Sequence, residues 1–330
     1  MREHALKRLA AGIASTRLTL AGFAVLAAGT LATPADPRVS LALVVAPLAL
    51  LGLNLAAAIA LRPALRRGGL GVFHVALLLL LLLAGWGRLT HFDARVEVAE
   101  GSAYDPERVE ITRSGPWHGQ AWREIQFNQG AFEVDYAPGV RRSHTRSHVV
   151  VAGQDGGPRV VGDDTPLKLQ GYRFYTTHNK GFAPVLRWEP PGADAIEGVL
   201  HLPSYPLFDW KQENAWTAPD GTPLRFWLRV ESPLQENQRW TLSPKDTSAV
   251  LVVEGAGLHQ ELRPGEAMRL PGAVLRYQRL QGWMGYRIFY DPTLVPMLLA
   301  AILGVLGLAW HLWHRRLRLA PGPAAEGAPA

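Results

Sequence analysis

The stretch that most constrains this chain runs from Leu70 through Gly71 to Trp86, GVFHVALLLLLLLAGW, an almost unbroken apolar run carrying a single titratable side chain, His74. With its flanks it approaches the roughly 20 residues a helix needs to span a bilayer. Ionisable residues are costly at that depth and default to a functional reading, although a hydrogen bond to a neighbouring helix is the plain alternative. The run starts just after Arg66, Arg67, Gly68 and Gly69. At about 1.5 Å of rise per residue, His74 lies on the order of 8 Å from that basic edge. A neutral imidazole is the form that ligates an iron or zinc ion, so metal ligation and helix-to-helix bonding both remain open from the residues alone.

Other apolar runs frame this one. Leu18 to about Leu31 follows a basic start at Arg2, Lys7, Arg8 and Arg17; this segment, with small residues near Ala32, also fits a cleavable signal peptide. Val39 to Leu61 is long enough to span, with Pro47 as a kink position and Asn54 as an amide for bonding between helices. A last run follows Asp291 and Pro292, read as an N-cap and a first-turn proline, through PMLLAAILGVLGLAW to Trp310 and Trp313, with Arg315, Arg316 and Arg318 beyond. The loop from Arg62 to Arg67 is strongly basic, whereas the loop before Val39 holds only Arg38. The positive-inside rule makes the basic loop cytoplasmic, so the third span runs outward and the residues after it lie outside.

Between the third and fourth spans the period falls to two. Phe132, Val134 and Tyr136 alternate with Glu133 and Asp135, and SHVVVAG, GYRFYTT, APVLRW, LRFWLRV, AVLVVEG and AVLRYQRL are short β-branched or aromatic runs bounded by Gly and Pro. The expected fold is therefore an integral membrane protein, with four transmembrane α-helices, three N-terminal and one C-terminal, flanking a β-rich extracytoplasmic domain. Its parts are a cytoplasmic N-terminus at 1–17, spans at about 18–33, 39–61 and 70–88 within 18–90, the β-rich domain at 91–290, a span at 291–314 and a cytoplasmic tail at 315–330. Trp188, Trp210, Trp227 and Trp240 are read as core or belt residues rather than a groove.

Composition excludes several classes. With no cysteine in 330 residues there is no disulfide framework, thiolate metal site, catalytic thiol or C-x-x-C-H haem attachment. The net charge of +6 sits largely beside apolar runs and no zinc-finger or RNP pattern appears, so nucleic acid is not an expected partner. No G-x-S-x-G elbow, Walker loop, H-E-x-x-H or dinucleotide fingerprint is present. His144 and His148 in HTRSH are a weak metal signal, and His311 and His314 read as the polar end of a span.

In their order these features resemble the ResB family of System II cytochrome c biogenesis. The residues that carry the resemblance are STRLTL at Ser15 to Leu20, GVFHVALLLLLLLAG with His74, RVEVAEG from Arg95, DDTPLKLQGYRFYTTHNKGFAPVLRW from Asp163 to Trp188, YDPTLVP before the last helix and HRR at His314 to Arg316. The chain is shorter than typical members and lacks a W-W-D segment. The resemblance implies a ResB-like subunit of a haem export and cytochrome c assembly (haem lyase) complex in the bacterial inner membrane, non-catalytic or co-catalytic. The implied partners are a ResC/CcsA-type membrane protein bearing the W-W-D segment, apocytochrome c, and a thiol-disulfide reductant in the pathway. It also implies that His74 is one axial ligand of the iron of a transient haem b, and that the β-rich domain docks the partner. The competing reading is a membrane-anchored periplasmic scaffold or sensor that binds no haem.

Overall fold

The computed structural model describes residues 12–35, 41–153, 157–232 and 234–319. The basic start at Arg2, Lys7 and Arg8, the loop with Arg38 and the tail after Leu319 lie outside the described residues. The chain divides into two compact units: one of Met1–His91, Ser114–His118 and Asp291–Ala330, the other of Phe92–Arg113 and Gly119–Tyr290.

The first unit is helical: α1 (Thr16–Ala35), α2 (Ala42–Leu61), α3 (Gly68–Thr90) and α4 (Leu294–Leu319). Three segments, Ala42–Leu61, Gly68–Thr90 and Leu294–Arg316, are long and apolar enough to cross a bilayer, whereas the apolar part of α1, Thr16–Ala32, is shorter. Helix α2 stops where Arg62 turns extended ahead of Pro63, as a residue preceding proline must. Helix α4 starts later than the sequence suggests. Asp291 and Pro292 form a turn rather than its first residues, because the Asp291 carboxylate accepts from the backbone N–H and the hydroxyl of Thr293 at 2.8 and 2.7 Å, and helical geometry begins at Leu294.

Small and polar residues hold these helices together. A Cβ added at Gly69 would stand 2.3 Å from the Gly307 carbonyl oxygen, and one at Gly307 2.8 Å from the Phe73 nitrogen, so α3 and α4 cross backbone to backbone. Asn54 does bond across helices: Thr19 donates to its side-chain oxygen at 2.8 Å, and its NH₂ donates to the carbonyls of Ile13 and Ser15 at 2.5 and 3.1 Å.

The second unit is all β. Its strands are β1 (Phe92–Ala99), β2 (Glu110–Ser114), β3 (Phe127–Ala137), β4 (Arg141–Val151), β5 (Arg159–Val161), β6 (Leu167–Leu169), β7 (Tyr172–Glu189), β8 (Ile196–Val199), β9 (Glu213–Thr217), β10 (Pro223–Val230), β11 (Trp240–Leu242), β12 (Ala249–Gly255), β13 (Leu258–Leu262), β14 (Ala267–Leu270) and β15 (Ala273–Tyr290). One sheet runs β2-β1-β15-β7-β6, with β14 on β15 and β8 on β7; the others run β13-β12-β10-β9 and β11-β3-β4-β5. The period-two pattern is obeyed: Phe132, Val134 and Tyr136 are buried, as are Leu224, Phe226 and Leu228 between exposed Arg225, Trp227 and Arg229.

GYRFYTT and APVLRW, which read as separate strands, are one 18-residue strand, β7, paired along its length with the equally long β15. A register shift between Met284 and Tyr286 absorbs the irregular THNK segment without ending the strand, and a second, between Tyr277 and Arg279, lies opposite Val185 and Leu186. Facing aromatics from the sheets fill the core, with Phe127 packed edge-on to Phe174 at 5.3 Å and to Tyr286 at 6.0 Å. Of the four tryptophans read as core or belt, two are not in the core. Trp188 is buried and Trp240 stacks on Tyr136 at 4.6 Å, but Trp210 and Trp227 stand 72% and 52% exposed.

Candidate functional site

His74 lies in the second turn of α3, half-buried. Its Nδ1 is 2.7 Å from the carbonyl oxygen of Leu70, one turn earlier, and its ring meets Phe73 edge-on at 5.4 Å. A carbonyl only accepts, so Nδ1 carries the proton and donates it. In the neutral ring this leaves Nε2 as the lone-pair nitrogen. Anchoring one imidazole nitrogen on a backbone carbonyl is the arrangement that orients a metal-ligating histidine through its other nitrogen. The donor therefore suits an axial ligand to iron. Among the described residues no cluster of three or more His, Asp or Glu side chains is placed to hold a metal ion.

The other histidine pairs do not form sites. His144 and His148 share a face of β4, but four residues of strand separate them by about 13 Å, too far for one ion. Between them Arg146 is bound to Glu133 and Asp135 at 3.0 and 2.6 Å. In α4, His314 packs edge-on against Trp310 at 5.9 Å, and the backbone of His311 lies against Gly69.

One feature of this unit was not legible in the sequence. The segment Ser114–His118 closes the C-terminal end of α3: the N–H groups of Gly115 and Trp117 donate to the carbonyls of His91 and Leu89 at 2.9 and 2.8 Å, and His118 Nδ1 bonds the Thr90 carbonyl at 2.9 Å. Three carbonyls that the helix terminus leaves without partners are thereby satisfied. A Cβ at residue 115 would stand 2.2 Å from the Leu89 oxygen, so only glycine permits the approach, and the Trp117 ring meets Trp86 at 5.8 Å. The signal in the sequence was Gly-Pro-Trp-His breaking the β alternation, which reads as an ordinary loop until the helix end is in view. Burial, with His91 nearby, holds the His118 imidazole below its usual range.

The ResB-like family model matches residues 54–187. The cytochrome c biogenesis protein CcsB of Crocosphaera subtropica is 26% identical over 227 residues, 67% of this chain and 46% of that protein. CcsB of Microcystis aeruginosa is 24% identical over 244 residues, 72% of this chain and 50% of that one. CcsB of a Synechococcus strain is 33% identical over 118 residues, 33% of this chain and 24% of that one. The chain spans about half the length of the first two of these relatives. A solved cytochrome c heme lyase CcmF aligns with 91% of this chain and 35% of its own at 14% identity, with a TM-score of 0.29, too low to establish a shared fold. From Asn54 in α2, through His74, to Arg187 in β7, the chain is similar to the ResB-like family, and over about two thirds of its length it is similar to the CcsB cytochrome c biogenesis proteins.

Proposed function

We propose that this chain is the ResB-like subunit of a membrane complex that exports haem and supports its attachment to apocytochrome c, with His74 supplying one axial ligand to a haem b in transit. The observation that carries the proposal is the His74 ring itself, fixed by its Nδ1–H on the Leu70 carbonyl so that Nε2 is the donor. The matching family segment and the CcsB relatives support the assembly role.

Arg62, Arg66 and Arg67 before α3, and Arg315 and Arg316 at the end of α4, support through the positive-inside rule the reading that those ends face the cytoplasm at a bacterial inner membrane with the β-rich domain outside. His74, six residues into α3, then takes haem about 9 Å in from the cytoplasmic end. The second ligand comes from a ResC/CcsA-type partner, whose W-W-D segment receives the haem, and a thiol-disulfide reductant keeps the acceptor thiols of apocytochrome c reduced.

The test is the absorbance of the complex purified with its partner. The wild type shows a b-type haem spectrum, His74→Ala loses most of it, and added imidazole restores it. A His74→Ala complex with an unchanged spectrum removes the ligand assignment.

A further inference from the structure

The β-rich unit holds a cavity of about 440 Å³ whose lining comes from β1, β7, β15 and the loops beside them. Along β1 the even-numbered residues Phe92, Ala94, Val96 and Val98 are buried, so Asp93, Arg95 and Glu97 stand on the opposite face, where Arg95 and Glu97 line this cavity. Arg95 is paired in register with Arg287 of β15. Like charges directly opposite on neighbouring strands cost stability unless a counter-charge relieves them. Arg287 is relieved by Asp93, which accepts two bonds from it at 2.9 and 2.5 Å. Arg95 makes no ion pair among the described residues.

A third guanidinium, Arg108, reaches the same cavity from the turn Pro106–Arg108, and its one ion pair among the described residues is an exposed contact at 3.4 Å with Asp105. The cavity's own carboxylates do not answer Arg95. Glu97 faces His201 Nδ1 at 3.4 Å, and Glu110 lies on the exposed edge strand β2. Opposite Glu97 in the ladder is Gly285, which adds no side chain to the floor. The wall at Thr177–Asn179 is rigid, because the Thr177 hydroxyl donates to the Gly285 carbonyl at 2.9 Å and accepts from the Asn179 N–H at 3.1 Å. There His178 presents an imidazole with no side-chain hydrogen bond among the described residues. Burial, with Arg142 and Lys180 close by, holds it below its usual range and so uncharged at neutral pH.

An unanswered guanidinium opposite a second one, a third from another segment and a preformed cavity between them make a receptor for carboxylates. The cavity lies three to five residues along β1 from Phe92, whose register partner Tyr290 is the last residue of β15, so it sits towards the end of the sheet at which the chain enters and leaves this unit. We propose that this cavity binds the propionate carboxylates of a tetrapyrrole, with Arg95 and Arg108 as the cationic contacts. That the carboxylates belong to a tetrapyrrole rests on the function proposed above; the carboxylate site does not.

Metal-free protoporphyrin IX, which a histidine cannot ligate through iron, separates the two. Full-length protein in nanodiscs is titrated with protoporphyrin IX and with its dimethyl ester, and binding is followed by porphyrin fluorescence. The wild type is expected to prefer the free acid by on the order of tenfold. Arg95→Gln and Arg108→Gln bring that preference to near one, Arg95→Lys keeps part of it, and His74→Ala leaves it unchanged. Arg95 has no ion pair to lose among the described residues and faces a like charge at Arg287, so Arg95→Gln does not lower the thermal midpoint. A wild type that does not distinguish acid from ester, or a preference that survives Arg95→Gln, overturns the site. Displacement of the porphyrin by succinate at comparable concentration overturns the tetrapyrrole assignment in favour of a small dicarboxylate. A His74→Ala protein that loses haem absorbance while keeping the acid preference shows the two sites to be independent.

Discussion

The two units of this protein are packed inside out relative to one another. In the helical unit the large apolar side chains lie on the surface, with Leu298, Leu299, Val305 and Leu306 each at least 60% exposed, while Asn54, Gly69 and Thr90 are inside. In the β-rich unit Phe127, Phe174 and Tyr286 are buried and the arginines and glutamates face out. Lipid tails are as apolar as leucine, so helices in a membrane gain little by hiding leucine and are joined instead by close backbone contact and internal polar bonds. In water the same leucines and aromatics drive the core. The difference shows that one polypeptide is written for two solvents.

Truncations break this comparison most sharply where the core is apolar. Phe174→Ala removes a fully buried ring from the centre of the β-rich unit and is expected to cost ~3–5 kcal/mol, measured by denaturant unfolding followed in the near-ultraviolet circular dichroism. A cost under ~1 kcal/mol would mean that these sheets are not held by their aromatic core.

The one buried lysine of the β-rich unit gives a smaller effect with a defined pH dependence. Lys180 is 2% exposed, with its ammonium over the Tyr136 ring at 5.5 Å, donating to the His178 carbonyl at 3.4 Å, and with no carboxylate bonded to it among the described residues. Burial, assisted by the nearby Arg142 charge, pushes it down to about 8. Because the folded state releases this proton before the unfolded state does, stability rises with pH between about 8 and the ordinary lysine value of about 10.5. Lys180→Met should stabilise the protein at neutral pH by up to ~3 kcal/mol, less what the Tyr136 contact contributes, and the gain should fade across that window. Thermal midpoints of both proteins at pH 7 and pH 10 check it; a difference that does not change with pH contradicts it.

The smallest effect belongs to the helical unit. Asn54→Leu removes three hydrogen bonds that tie α2 to Thr19 of α1 and to Ile13 and Ser15 just before it, yet bonds of this kind inside membranes average only about 0.6 kcal/mol. A loss of ~1 kcal/mol in a bilayer unfolding assay is expected. A loss as large as that of Phe174→Ala would erase the contrast between the units.

Much of this arrangement was readable from local pattern. The apolar runs around Val39–Leu61 and Leu70–Trp86, the alternation at Phe132–Tyr136 and the cross-helix role of Asn54 each follow from a period or a single residue type. Strand continuity was not readable, because THNK looks like a turn and only its bulged pairing with β15 keeps β7 whole. The start of α4 misled for a related reason: Asp-Pro is a sound helix opening, but Asp291 spends its carboxylate on Thr293.

The sequence by itself determined the two solvents and singled out His74, because apolar length, period and an ionisable residue in an apolar run are local properties of the chain. Only the tertiary structure decided that Gly115 and Trp117 cap α3, that Arg95 faces Arg287, and that a cavity opens beside Gly285. Each of those joins residues distant along the chain, and strand register and backbone approach become fixed only when the whole sheet and the helix ends have assembled.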